Sequence, residues 1–421
     1  MAGELQRSPA SRLPTSHRSD AQAPVRTAGR GLLTCPWEPS SRVGLALILI
    51  LLTVAGALLA AGCGTDRVTA PADRYVEGVN FGELFAPPGA DELRAVRAAW
   101  DSHLAVAVDA VQVAASTVQI GATRFDVRLF SHRVDGDLHY GVAAVPADAS
   151  RRSAPVVLYA HFGQEDGYGG GLSVDAALML LALSGGFRPD AVYALPCFRS
   201  QHVVLDGATY RAEGRPDPWD GQVDDALAFL EVVRQEVPEA DGGRIAALGL
   251  SGGGAVALLA AAREPAIDGV AAYFPPTDFL GPFIQGVFER ALRGEHVALP
   301  GFGYLQSDVL TPLRAGELSV AQVRLELIRR SAVYFVDRLP ALQVHHGAAD
   351  TVVPVSQARA LQSALRALAD GERREVWLYD GGVHNPLALP GCSNRVASFL
   401  ARALGPAPAA RVARGPILPV R

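Results

Sequence analysis

Apolar and polar positions alternate with a period of two over residues 124–134 (RFDVRLFSHRV) and again over 138–145 (LHYGVAAV). Asp135-Gly136-Asp137 between them is a turn signal, so the two segments predict an antiparallel hairpin. Further on come short, continuous apolar runs at 155–160, 191–195, 244–250, 269–274, 342–346 and 375–379, separated by stretches with helical spacing. Strands buried on both faces read as continuous rather than alternating runs. The expected fold class is therefore α/β, with a mostly parallel central sheet, helices on both faces and the antiparallel hairpin added at its N-terminal edge. Upstream, the spacing of Leu, Val and Ala around Trp100 predicts a helix from 91 to about 113. Residues 281–332 interrupt the alternation with aromatic, Gly- and Pro-containing sequence, either as a lid insertion or as a solvated pair of helices. No internal repeat is present, which leaves no room for a β-propeller.

The first 42 residues are rich in Arg, Ser, Pro and Ala without hydrophobic periodicity, which predicts a disordered leader. Residues 43–62 (VGLALILILLTVAGALLAAG) then carry no charge, long enough at about 20 residues to span a bilayer, and follow Arg26, Arg30 and Arg42. The run ends in Leu58-Leu59-Ala60-Ala61-Gly62-Cys63, which resembles the lipobox of bacterial lipoproteins, with Ala60 where that motif prefers leucine. Lipidation at Cys63, an uncleaved signal anchor and a simple secretory signal all place the rest of the chain outside the cytoplasm. Residues 63–90 read as a tether, 91–405 as the α/β domain, and 406–421 as a disordered tail.

Composition adds a few limits. Of 421 residues, 49% are hydrophobic and 19% charged, ample for a buried core. The net charge of −5 offers no basic footprint for nucleic acid, and all 38 fixed cations are arginine. The four cysteines lack metal-ligand spacing. In an exported chain Cys197 and Cys392 are either a disulfide or two buried thiols.

The chemistry concentrates at strand ends. Gly249-Leu250-Ser251-Gly252-Gly253 lies between an apolar run and a helical one, a G-x-S-x-G elbow that lifts a serine hydroxyl above a sheet. Serine needs a base and an orienting carboxylate. The run 342–346 leads into His345-His346-Gly347-Ala348-Ala349-Asp350, and 375–379 leads into Asp380-Gly381-Gly382-Val383-His384. Ser251, Asp350 and His384 thus fall beyond the ends of three strands on the edge where open α/β sheets place their ligands. Asp278 and Asp380 are alternative acids, and His345 and His346 alternative histidines that belong more naturally to the strand. For the oxyanion, the amide of Gly252 is one expected donor. The other is the amide of Phe162 or Gly163, in the loop His161-Phe162-Gly163-Gln164 after the 155–160 strand.

These features carry a family resemblance. Residues 161–163, 219–229 with Asp224-Asp225, 244–254, 331–339 (SAVYFVDRL), 346–355 (HGAADTVVPV) and 381–384 resemble the catalytic domain of the prolyl oligopeptidase (S9) family and its esterase relatives in the α/β-hydrolase superfamily. The resemblance implies a serine hydrolase that cleaves carboxylic ester or peptide bonds with Ser251, Asp350 and His384 as its triad. It implies no metal or organic cofactor, and a small ester or short peptide as substrate. Two departures matter. The usual propeller is missing, and Gly252 stands where many relatives carry an aromatic residue, so an esterase fits better than a peptidase. A lipid-anchored binding protein using the same cleft is the reading from another class. Oligomeric state is not readable from the sequence.

Overall fold

The computed structural model describes residues 74–103, 106–161, 171–368 and 373–405. Nine strands form the central sheet: β1 (Val108–Ile120), β2 (Thr123–Val134), β3 (Asp137–Pro146), β4 (Ala154–Ala160), β5 (Val192–Cys197), β6 (Ala240–Leu250), β7 (Ile267–Tyr273), β8 (Ala341–Gly347) and β9 (Arg374–Tyr379). Their spatial order is β9-β8-β7-β6-β4-β5-β3-β2-β1. From β5 to β9 every neighbouring pair is parallel, whereas β5–β3, β3–β2 and β2–β1 are antiparallel. The order reverses around β4 and β6, and β6 carries the nucleophile elbow.

Alternation across each buried strand builds two cores. Ile245 and Ala247 of β6, with Val270 and Ala272 of β7, face one. Ala246, Leu248 and Leu250, with Ala271 and Tyr273, face the other. The first face is covered by α3 (Gly221–Glu236), α4 (Gly252–Arg263) and α7 (Ser356–Arg366), the second by α2 (Val174–Ser184) and α8 (Cys392–Leu404). In α3 the buried Val223, Ala226, Phe229, Leu230 and Val233 recur at helical spacing, Asp224 opens the helix and Arg234 closes it. Helix α4 is made of Gly, Ala, Val and Leu up to its terminal Arg263, and small residues let its backbone lie close against the sheet.

The expected hairpin is present as β2 and β3, with Val134 opposite Asp137. A further strand, β1, pairs outside it. The helix expected over 91–113 is α1 (Ala90–Ser102) and stops ten residues or so early, because the chain turns into β1. Density of β-branched residues (Val106, Val108, Val111, Val113) favours an extended edge strand there.

The expected tether is also shorter than read. Val76, Val79, Phe81, Leu84 and Phe85 are buried in the first core. They are tied down by Arg324, which donates to the carbonyls of Glu83, Leu84 and Ala86 and pairs with Glu92. Residues 281–332 hold α5 (Pro282–Leu292), three short helical turns and α6 (Val320–Arg329). Cys197 and Cys392 are buried free thiols rather than a disulfide, and burial raises the pKa of each. Among the described residues no helix is long and apolar enough to cross a membrane. Residues 43–62 and Cys63 lie outside the described residues, as do Phe162, Gly163 and the tail 406–421.

Candidate active site

Ser251 sits between β6 and α4 with φ 54° and ψ −125°, a conformation that side chains rarely adopt. Its amide donates to the Tyr273 carbonyl at 2.8 Å, and its carbonyl accepts from Gly254 at 2.9 Å. The strained turn exists because its neighbours are glycines. A Cβ on Gly249 would lie 2.1 Å from the Gly253 carbonyl oxygen, and one on Gly253 would lie 2.1 Å from that of Ala160. The second contact also shows that the end of β4, where the expected oxyanion loop begins, packs directly on the elbow.

The carboxylate and the histidine come from adjacent loops stitched together. Beyond β8, Ala348 donates to the Tyr379 carbonyl and Ala349 to that of Gly382, each at 2.8 Å. Gly347 permits this approach, since a Cβ there would lie 2.3 Å from the Gly382 oxygen. Asp350, its side chain fully buried, accepts on Oδ1 from the amides of Val352 at 2.9 Å and Val353 at 3.0 Å. Its Oδ2 accepts from His384 Nδ1 at 2.7 Å. That bond places the imidazole proton on Nδ1 and leaves Nε2 bare, the state a general base requires.

The competing residues are accounted for elsewhere. The Asp278 carboxyl, whose pKa burial raises, accepts from the Tyr334 hydroxyl at 2.8 Å and from the Leu280 amide at 3.1 Å. Asp380 is exposed. His345 is a packed strand residue: Nε2 donates to Gln343 Oε1 at 3.0 Å and Nδ1 accepts from Tyr379 at 2.7 Å. Burial pushes it down to about 3. His346 donates from Nε2 to the Val353 carbonyl at 2.8 Å, bracing the loop that presents Asp350. Among the described residues no group of three or more His, Cys, Asp or Glu is placed to hold a metal.

Two site residues escaped sequence reading. Phe274, the residue after β7, has φ 40° and lays its ring 4.4 Å from the His384 ring. Trp219, before α3, lines the cleft at Ser251 together with Pro218 and Gln222. The inserted segment contributes Phe283, Ile284, Leu299 and Gly301 to the same lining, and the acid loop contributes Val352 and Val353. Gln222 and the indole N–H of Trp219 are the polar side-chain groups besides Ser251 among the described residues of this lining, and none is charged.

A model of the acetyl xylan esterase family matches residues 223–290, from α3 through the elbow into α5. No curated protein matches the sequence. Among solved structures, an acetyl xylan esterase from Thermoanaerobacterium sp. superposes with a TM-score of 0.51 at 17% identity, covering 75% of this chain and 95% of its own. A puromycin-hydrolysing peptidase of Mycobacterium tuberculosis (TM-score 0.45, 17% identity) covers 69% of this chain and 47% of its own. An acylaminoacyl peptidase of Pyrococcus horikoshii (TM-score 0.46, 16% identity) covers 68% and 42%. The chain thus spans less than half the length of those two peptidases. With its sheet order and this superposition, the chain has the α/β-hydrolase fold, and around its elbow serine it is similar to the acetyl xylan esterase family.

Proposed function

We propose that the chain is a carboxylesterase that works through an acyl-enzyme on Ser251. The observation that carries this reading is the Asp350–His384 bond of 2.7 Å at the C-terminal edge of the parallel strands, the edge that also carries the strained elbow serine. His384 Nε2 takes the Ser251 proton as the hydroxyl oxygen attacks the acyl carbon. The imidazolium so formed is stabilised by Asp350 and returns the proton to the departing alcohol. Water then attacks the acyl-enzyme with His384 again as base, which frees the acid and Ser251. The Gly252 amide, at the positive end of α4, is assigned to the developing oxyanion, with the amide of Phe162 or Gly163 as its expected partner.

The cleft favours esters over peptides. A peptide with free ends carries an ammonium and a carboxylate, and burying either without a partner is costly. The described lining offers no charged side chain to meet them. Uncharged esters with a small or apolar acyl group are therefore the proposed substrates. Hydrolysis of p-nitrophenyl acetate and butyrate, set against short peptide anilides, tests this. Turnover of the esters that disappears in Ser251→Ala supports it. Faster cleavage of the anilides would make the chain a peptidase, and no Ser251-dependent turnover of any carbonyl substrate would favour a binding role.

We propose also that the chain is exported and held at a membrane through Cys63. The support is the uncharged run 43–62 behind three arginines and the small residues leading to that cysteine. Metabolic labelling with palmitate that vanishes in Cys63→Ala would agree. Labelling that survives the substitution would refute it.

A further inference from the structure

Trp219 has features that no part of the proposed triad chemistry uses. Its backbone lies in the left-handed region at φ 70°, which is strained for a non-glycine residue and persists only where the surroundings impose it. Those surroundings are specific. The Trp219 amide donates to Gln222 Oε1 at 3.0 Å. The preceding carbonyl, that of Pro218, accepts at 3.1 Å from Arg330, a fully buried guanidinium that also binds Asp217 and Glu326. The indole ring packs edge-on against Phe279, with centroids 4.8 Å apart. Beneath it lies Gly301, φ 79°, where a Cβ would meet the ring at 2.7 Å.

All of this fixes one polar atom. Trp219 is 5% exposed, and its indole N–H donates to no group among the described residues. The nitrogen is not among the polar atoms sealed from solvent without a partner, so this unused donor keeps access to the open space of the cleft that Trp219 lines. The nitrogen stands 3.3 Å from the point where a side chain on Gly252 would begin, so it occupies the space beside the nucleophile that Gly252 leaves empty. Gly252, Ser251 and Trp219 line the same cleft.

We propose that the Trp219 indole N–H is a substrate-facing donor, which hydrogen-bonds the ester oxygen held against Gly252 as Ser251 attacks. This rests on the acyl-enzyme reading above. The glycine after the nucleophile and the tryptophan 32 positions before Ser251 then act together: one vacates the space, the other fills it with a preorganised donor. The bond has most to do in the transition state, when negative charge grows on the oxygen, so its loss falls mainly on kcat rather than KM.

Two replacements in the full-length chain, purified in detergent, test this with p-nitrophenyl acetate. Trp219→Phe removes the donor and part of the ring. Incorporation of β-(3-benzothienyl)alanine at 219 keeps both rings and removes only the N–H. The proposal expects kcat to drop on the order of tenfold or more in both, with KM changed less. If the benzothienyl chain works at the unaltered rate, Trp219 only packs the cleft and the proposal is overturned. Fluorophosphonate labelling of the unaltered chain separates the two levels. Absent labelling at Ser251 defeats the acyl-enzyme reading itself, whereas normal labelling with unchanged kinetics at both replacements defeats only the role of Trp219.

Discussion

His384 Nδ1 donates to Asp350 Oδ2 at 2.7 Å, while the other oxygen of that carboxylate is held by the amides of Val352 and Val353. The carboxylate is thus oriented before the histidine reaches it. With Asp350→Asn the two backbone amides keep the carbonyl oxygen, so the amide nitrogen donates to the imidazole Nδ1, the ring proton moves to Nε2, and the tautomer with Nε2 bare is lost. The expected outcome is a fall in kcat on the order of 10⁴ with little change in KM, measured on p-nitrophenyl acetate. A variant that keeps a tenth of the activity would remove Asp350 from the triad.

Phe274 supports the other side of the histidine. Its ring is buried 4.4 Å from the His384 ring, on a backbone with φ 40°. Phe274→Ala is expected to cost about 3–5 kcal/mol of stability, the range for emptying a buried phenylalanine site. Phe274→Leu should keep the fold and lower kcat without raising KM, because the imidazole gains freedom. Equal kcat for Phe274→Leu and the unaltered chain would show that the ring contact is incidental.

Neighbouring glycines of the elbow should differ sharply. Gly253→Ala places a Cβ 2.1 Å from a backbone oxygen of β4 that cannot move aside, whereas Gly252→Ala meets only the Trp219 indole nitrogen at 3.3 Å. Thermal denaturation should therefore show Gly253→Ala strongly destabilised or unfolded and Gly252→Ala within a few degrees of the unaltered chain. Similar melting temperatures for the two would contradict this packing.

Acid should unfold the protein through its buried histidines. Burial, with His139 adjacent, pushes His132 down from 6.5 to about 3, and burial with Arg395 nearby does the same to His345. A folded-state pKa below the unfolded one means that the unfolded chain takes up the proton first. The stabilisation is complete above about pH 6.5 and is lost as pH falls toward 3, at about 1.4 kcal/mol per pH unit for each histidine. Urea midpoints at pH 7 and pH 4.5 should differ accordingly, and His132→Leu should flatten the slope. A midpoint that does not move with pH would refute the assignment.

Cys197 and Cys392 should behave as inert thiols. Both are buried, and burial raises their pKa, which keeps them protonated and poorly nucleophilic. Ellman's reagent should find neither in the folded chain, and a reductant should leave the melting temperature unchanged. A drop in melting temperature on reduction would reveal a disulfide instead.

Strands buried on both faces were legible because burial leaves continuous apolar runs, and β4 to β9 fall within a few residues of where those runs lie. The placement of Ser251, Asp350 and His384 past the ends of β6, β8 and β9 was legible from the same runs. Strand β1 was not legible as a strand, because its inward positions before Ile120 are only half-buried and include Ala114 and Ser116, too small or polar to mark an apolar alternation. The burial of Phe81 and Leu84 hid behind the surrounding Pro and Gly, which suggest a linker when read alone. Phe274 and Trp219 were invisible as site residues for another reason. Their importance lies in positive φ angles and in rings brought in from elements distant in sequence, and neither property leaves a local pattern.

The central claim is that Ser251 is activated by a histidine which Asp350 orients. Its most direct test is to label the full-length chain with a fluorophosphonate and map the modified residue by mass spectrometry, beside His384→Ala. The account predicts modification at Ser251 in the unaltered chain and its loss in the variant. Labelling at another serine, or labelling of Ser251 that persists undiminished without His384, would contradict it.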